Sequence, residues 1–187
     1  MPNELQPLFI PESIRNPNLY QKFGRTEVFD ALTEIGYGPT KMYVDSFYLS
    51  PDERIGVGVL SVTEEHTRDH FGLLRGVDQA EASGQVGILI AYFSGKIPEG
   101  QSPLLMEITG FKYDLPVVEE AVINVAVMTE DLKQGQFRGT GQILLGETVL
   151  AHGAFTGAMA EKRALNILIA RRRQIQGRTP PLFPPLD

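Results

Sequence analysis

Residues 76–93 constrain this 187-residue chain more than any other stretch. From Val86 onward the run is nearly all apolar, through Ile88, Leu89, Ile90, Tyr92 and Phe93. A helix that is apolar on most sides has no face to offer water, so it must be buried. Gly95 and Pro98 end it, and the uncharged run is too short to cross a bilayer. The rest of the chain therefore has to wrap around it. Against that background the polar residues near its start stand out. Asp78, Glu81 and Gln85, spaced i, i+3, i+7, lie along one helical face. A carboxylate entering a core beside a histidine, here His70, is costly unless it is paired or used.

The wrapping elements are legible on both sides of that helix. Thr26 is expected to cap a helix over residues 27–35, with Val28, Leu32 and Ile35 on one side and Gly36, Gly38 and Pro39 as its stop. Two strands follow, residues 41–49 and a second in which Ile55, Val57 and Val59 alternate with Gly56, Gly58 and Leu60. The turn Ser50-Pro51-Asp52-Glu53 joins them. Glycines on one face of the second strand leave room for the buried helix. After the helix come four more strands, residues 104–112, 121–129, 136–145 and 148–158, the last three joined by short turns as an antiparallel meander. Residues 1–24 read as an irregular arm, residues 25–160 as the domain, and residues 161–187 as a helix with a Pro-rich tail over residues 179–187. The economical solution is an α+β domain, an antiparallel six-stranded sheet wrapped around one central apolar helix.

Composition narrows the function. A net charge of −6 and a pI of about 5.1 weigh against nucleic-acid binding, which needs a basic surface. The chain has no cysteine, which removes disulfides, thiolate metal sites and cysteine nucleophiles. Its three histidines have no paired ligand spacing, so no metal site and no cofactor are expected. The opening residues lack the basic and apolar regions of a signal peptide, and with no membrane span in sight a soluble, cytoplasmic protein is expected.

The motifs around the helix start carry a resemblance. His70-Phe71 precedes the helix, Gly76-Val77 steps into it, and Glu81-Ala82-Ser83-Gly84-Gln85 lies inside it. Downstream come Phe111-Lys112-Tyr113-Asp114-Leu115-Pro116-Val117 and a closing pair, Gly135-Gln136-Phe137-Arg138-Gly139 with Leu144-Leu145-Gly146-Glu147-Thr148-Val149. Over roughly residues 27–160 the chain resembles the hot-dog-fold 3-hydroxyacyl-(acyl carrier protein) dehydratases of fatty-acid and polyketide synthesis. That family reads His-Phe-Pro-Gly with a second Pro-Gly before the helix. Here Gly72-Leu73-Leu74-Arg75 stands between His70-Phe71 and Gly76, without either proline and about three residues shorter.

The resemblance implies a hot-dog fold, a lyase acting on acyl thioesters bound to acyl carrier protein or coenzyme A, and a homodimer or higher even-numbered oligomer in which the histidine of one subunit meets the carboxylate of its partner. Dehydration of a 3-hydroxyacyl thioester needs a base near neutrality, an acid for the leaving hydroxyl and a dipole on the thioester carbonyl. His70 suits the base. Glu81, in an apolar pocket, suits the acid. The N–H groups near Gly76 and Val77 suit the carbonyl. Phe71, Gln85, Pro116 and Val117 complete the expected substrate contacts, Gln85 by orienting the Glu81 carboxylate. A hydratase or isomerase shares this α-proton chemistry. A hot-dog thioesterase, with Glu81 or Asp78 acting on water or on the thioester, and a non-catalytic acyl-binding module are the alternatives. Asp78 is read as an acid favoured at a helix start. Arg75 is read as a solvated loop charge or a contact for the phosphopantetheine arm, and Arg171 to Arg173 as a solvated face. His66 and His152 have no partner nameable from sequence.

Overall fold

The computed structural model describes residues 11, 15–130 and 135–176. The sheet has seven strands, one more than expected: β1 (Gln21–Phe23), β2 (Ser46–Leu49), β3 (Ile55–Ser61), β4 (Gln101–Tyr113), β5 (Val122–Thr129), β6 (Gln136–Leu145) and β7 (Thr148–Glu161). They run in the order β1-β2-β3-β5-β6-β7-β4, with every neighbouring pair antiparallel. The helices are α1 (Arg25–Ile35), α2 (Glu64–Thr67), α3 (Gly76–Phe93) and α4 (Lys162–Gln176). The extra strand, β1, comes from what reads as an irregular arm. Three residues carry no periodicity, but Phe23 is buried and its ring stacks on Phe93 at 3.7 Å and on Phe47 at 5.9 Å. The expected tail over residues 179–187 lies outside the described residues.

Helix α1 begins two residues earlier than a Thr26 cap predicts. Gly24 is the N-cap, and Glu27 closes the end by accepting the Gly24 N–H at 2.7 Å. Gly36 ends it in a left-handed conformation, φ 116°, which a residue with a Cβ adopts only at a cost. The strand expected from residue 41 starts only at Ser46. The buried Gln85 side chain takes the ladder's place: its Oε1 accepts the Tyr43 N–H at 2.9 Å and its Nε2 donates to the Lys41 carbonyl. That capture holds residues 41–43 off the sheet, and pairing with β3 resumes where the Asp45 N–H donates to the Val59 carbonyl at 2.8 Å.

Helix α3 is buried at every position from Asp78 to Ala91 except Glu81. Glycines set how close the sheet lies. Val86 fills the space a side chain at Gly58 would need, and Ile90 with Phe47 does the same at Gly56. The Phe155 ring sits in the notch between Gly87 and Gly139, and Ser83 rests on Gly141. These contacts bury apolar surface on both partners, at roughly 25 cal/mol per Å². At Gly153 an added Cβ would lie 2.3 Å from Phe111 Cδ2 and 2.7 Å from the Phe111 Cα. A backbone atom cannot rotate away, so Gly153→Ala is expected to push β4 off β7 and destabilise the fold by about 2 kcal/mol. Denaturant midpoints would measure it, and an unchanged midpoint would contradict this packing.

Strand β4 is an edge. Among the described residues it pairs only with β7, and register shifts fall between Leu105 and Glu107 and between Thr109 and Lys112. Its middle is open to solvent, with Met106 65% and Ile108 40% exposed. No helix among the described residues is long and apolar enough to cross a membrane.

Candidate functional site

The sequence motifs converge on the N-terminus of α3 through the loop of residues 68–75. That loop is stitched to the segment after β4. Leu73 bridges Val118, the Leu74 N–H donates to the Val117 carbonyl at 2.9 Å, and the Glu119 N–H donates to the Gly72 carbonyl at 3.0 Å. His70 sits in it with an exposed ring whose Nδ1 lies 2.6 Å from the Asp69 carbonyl. A carbonyl only accepts, so this contact places the proton on Nδ1 and leaves the Nε2 lone pair free for a proton from elsewhere. Phe71 is fully exposed and left-handed, φ 55°.

The helix start carries unpaired backbone donors, as any helix start does. Arg75 is the N-cap, and its carbonyl takes the Asp78 and Gln79 N–H groups, both at 3.1 Å. The N–H groups of Gly76 and Val77 have no acceptor among the described residues. Tyr113 packs its ring where a Gly76 Cβ would stand, at 2.6 Å, and its hydroxyl donates to the Gly76 carbonyl at 2.9 Å. Val77 is 62% exposed.

Glu81 lies about 7 Å along the axis from Gly76 and is half-buried. It faces Tyr37. Burial, with the neighbouring Glu81 next, holds the Tyr37 hydroxyl above the ordinary phenol range. Within one chain no hydrogen bond or ion pair joins His70 to Glu81 among the described residues. The expected role of Gln85 is corrected. Its amide is spent on the backbone of residues 41–43 and its side chain is fully buried, so it neither orients Glu81 nor reaches a ligand. Val117 is also buried, 1% exposed, and contributes its carbonyl to the loop rather than a surface to substrate. Pro116 is exposed beside it.

The network that sequence reasoning missed lies on the other side of the helix start. Asp78, 4% exposed, accepts from Arg75 Nε at 2.5 Å, Arg75 Nη2 at 2.8 Å and the Tyr43 hydroxyl at 2.7 Å. Burial raises the Asp78 carboxyl, but the Arg75 and Tyr43 hydrogen bonds and the Arg75 charge outweigh it and hold the group below the usual carboxylate range. Arg75 is therefore tied to Asp78, while its side chain remains 41% exposed. The i, i+3 spacing of Arg75 and Asp78 is a visible signal of the pair, whereas Tyr43 is far away in sequence. His66 belongs to α2, where its Nδ1 faces the Thr63 N–H at 3.1 Å and its ring lies 5.8 Å from that of Tyr43. His152 Nδ1 lies 3.2 Å from Asp114 Oδ2, out of line for a hydrogen bond. Arg171 is exposed. No three His, Asp or Glu side chains gather as a metal-holding group among the described residues.

No protein-family model and no curated protein matches the sequence. Solved structures do match its shape. The dehydratase heterocomplex ApeI:P from Xenorhabdus doucetiae is similar at a TM-score of 0.58 and 14% identity, over 71% of this chain and 92% of that one. A hot-dog-like protein from Thermanaerovibrio acidaminovorans is similar at 0.55 and 14% identity, over 63% and 89%. The chain has a hot-dog fold. A Thermus thermophilus protein described as a thioesterase superfamily member is similar at 0.57 and 12% identity, over 66% and 93%. A dehydratase heterocomplex and a protein described as a thioesterase superfamily member thus share this fold. At such identities the likeness carries the fold alone, and chemistry has to be argued from the site.

Proposed function

We propose that this protein is a dehydratase-like hot-dog enzyme that removes water from, or adds it to, 3-hydroxyacyl and 2-enoyl thioesters carried by acyl carrier protein or coenzyme A. The observation that carries the reading is the exception on α3. From Asp78 to Ala91 the helix closes itself off at every position but Glu81, one and a half turns below the two free N–H groups. A carboxyl group at that depth is placed for the β carbon of an acyl chain whose thioester oxygen rests on Gly76 and Val77. In this reading His70 Nε2 takes the α proton and Glu81 donates a proton to the leaving hydroxyl, which departs as water. The remaining electron pair forms the α,β double bond. The resemblance implies a homodimer in which each site takes its histidine from one protomer and its glutamate from the other, and among the described residues no hydrogen bond or ion pair joins the two groups within one chain. The open edge of β4 and the fully exposed Phe71 support such an assembly. A spectrophotometric assay of enoyl-coenzyme A hydration tests the activity directly. Loss of the enoyl absorbance supports the reading, and release of free thiol in its place supports a thioesterase.

A further inference from the structure

Helix α4 leaves the domain after β7 and carries no acid of its own. Its 15 residues include Lys162, Arg163, Arg171, Arg172 and Arg173, although the chain as a whole has a net charge of −6. Little of the helix is packed. From Arg163 to Arg171 every described side chain except Leu165 is exposed, Ile167 by 50%. A helix of this length is marginal in water without tertiary contacts. Arg163, Ile167 and Arg171 are spaced i, i+4 and i+8. That spacing puts two arginines about 12 Å apart along the axis on one face, with an isoleucine midway between them. Among the described residues neither arginine meets an acid.

The complement lies on α1. Glu27, Asp30 and Glu34, spaced i, i+3 and i+7, form one exposed row about 10.5 Å long, and Phe29, 46% exposed, stands on its flank. Glu27 accepts the Gly24 N–H at 2.7 Å and Glu34 accepts the Tyr92 hydroxyl at 2.6 Å, yet no ion pair reaches any of the three acids among the described residues. Lys162 Nζ donates to the Glu34 carbonyl at 3.3 Å, which sets the base of α4 at the end of α1. The basic row and the acidic row thus start beside each other and do not meet within one chain.

We propose that α4 of one copy of this chain docks on α1 of a second copy, and α4 of the second on α1 of the first. Arg163 and Arg171 then meet the acidic row, and Ile167 covers Phe29. The two rows match in length, about 12 Å against about 10.5 Å. Charge decides the occupant. Two α4 helices packed on each other would set arginine against arginine. An anionic lipid surface would be opposed by the acids of α1 at the base of α4 and by the net charge of the chain. A second copy supplies acid and apolar side chain together, and the exchange closes as a two-fold contact. Because α4 begins beside Gln101, this contact lies at the opposite end of β4 from Tyr113 and Gly76. It is separate from the face around Phe71 and does not rest on the acyl-thioester reading.

Sedimentation of the full chain tests the contact with two charge reversals, Arg163→Glu with Arg171→Glu on α4, and Asp30→Lys with Glu34→Lys on α1. The native chain is expected to associate at low salt and to weaken as salt rises, because the paired groups are at the surface. Each reversed variant sets like charges against each other and is expected to raise the dissociation constant about a hundredfold. If the β4 edge also joins copies, each reversal halves the mass of the assembly instead of giving a monomer. Mixing the two variants is expected to restore the native constant, since both contacts again pair opposite charges, and this rescue separates a lost contact from a damaged fold. A native chain that stays monomeric, reversals that leave association unchanged, or a mixture no tighter than its parts overturns the proposal. Pelleting of a monomeric native chain with phosphatidylglycerol vesicles, abolished by the α4 reversal, overturns it in favour of a lipid surface.

Discussion

Glu81→Gln is expected to lower the hydration rate by about 10²–10⁴, the usual worth of one proton-transfer group. Glutamine keeps the shape of the side chain, so the helix and its packing stay as they are. Only the exchangeable proton is lost. His70→Ala is expected to cost a similar factor with almost no change in melting temperature, because the ring is exposed and its one polar contact is to the carbonyl of the preceding residue. Residues that act on the same transition state are not additive, so the double variant should be little worse than either single one. Rates from the three variants with matched unfolding curves check this. Thiol release that survives His70→Ala but not Glu81→Gln would replace the dehydratase with a thioesterase. Full activity in all three would remove both groups from the chemistry.

Asp78→Ala is expected to destabilise the fold by about 3 kcal/mol. The variant leaves the Tyr43 hydroxyl, 6% exposed as a residue, without its acceptor, and removes an acid from the first turn of α3. It also frees Arg75, the N-cap, from the two bonds that hold the loop against the helix. Because the native Asp78 carboxyl is held below its usual value, its contribution is fully present above the unfolded pKa of about 3.9 and is lost as pH falls through the native value. The gap in stability between the native protein and Asp78→Ala should therefore be constant near neutrality and close below about pH 4. Urea titrations at several pH values would measure it. A gap that widens in acid contradicts the charged, bonded Asp78 described above.

This network explains how the loop before α3 is held without either proline of the dehydratase pattern it resembles. Proline restricts a loop by fixing φ. Here Arg75, bound to Asp78 and through it to Tyr43, restrains the same junction with side-chain hydrogen bonds, while the Val117 carbonyl and Leu73–Val118 bridge hold the loop's other side. Asp78 looks like an ordinary helix-start acid in sequence because the partner that gives it a second meaning, Tyr43, is 35 residues upstream. Gln85 misleads for the same reason. One turn past Glu81, it fits a local partnership, yet its amide is engaged by the backbone of residues 41–43, 42 positions from Tyr43.

The buried helix, its boundaries at Gly76 and Phe93, the meander after it and the antiparallel wrapping sheet were determined by sequence alone. Each rests on local quantities, the apolar run, alternation and glycine punctuation, that residues carry wherever the chain goes. Only the tertiary structure decided the seventh strand, the late start of β2, the burial of Gln85 and Val117, and the Asp78 network. All of these depend on which distant segments meet. A side chain's burial and hydrogen-bond partners follow from that meeting, because spacing along a helix places a group on a face without saying what that face will touch.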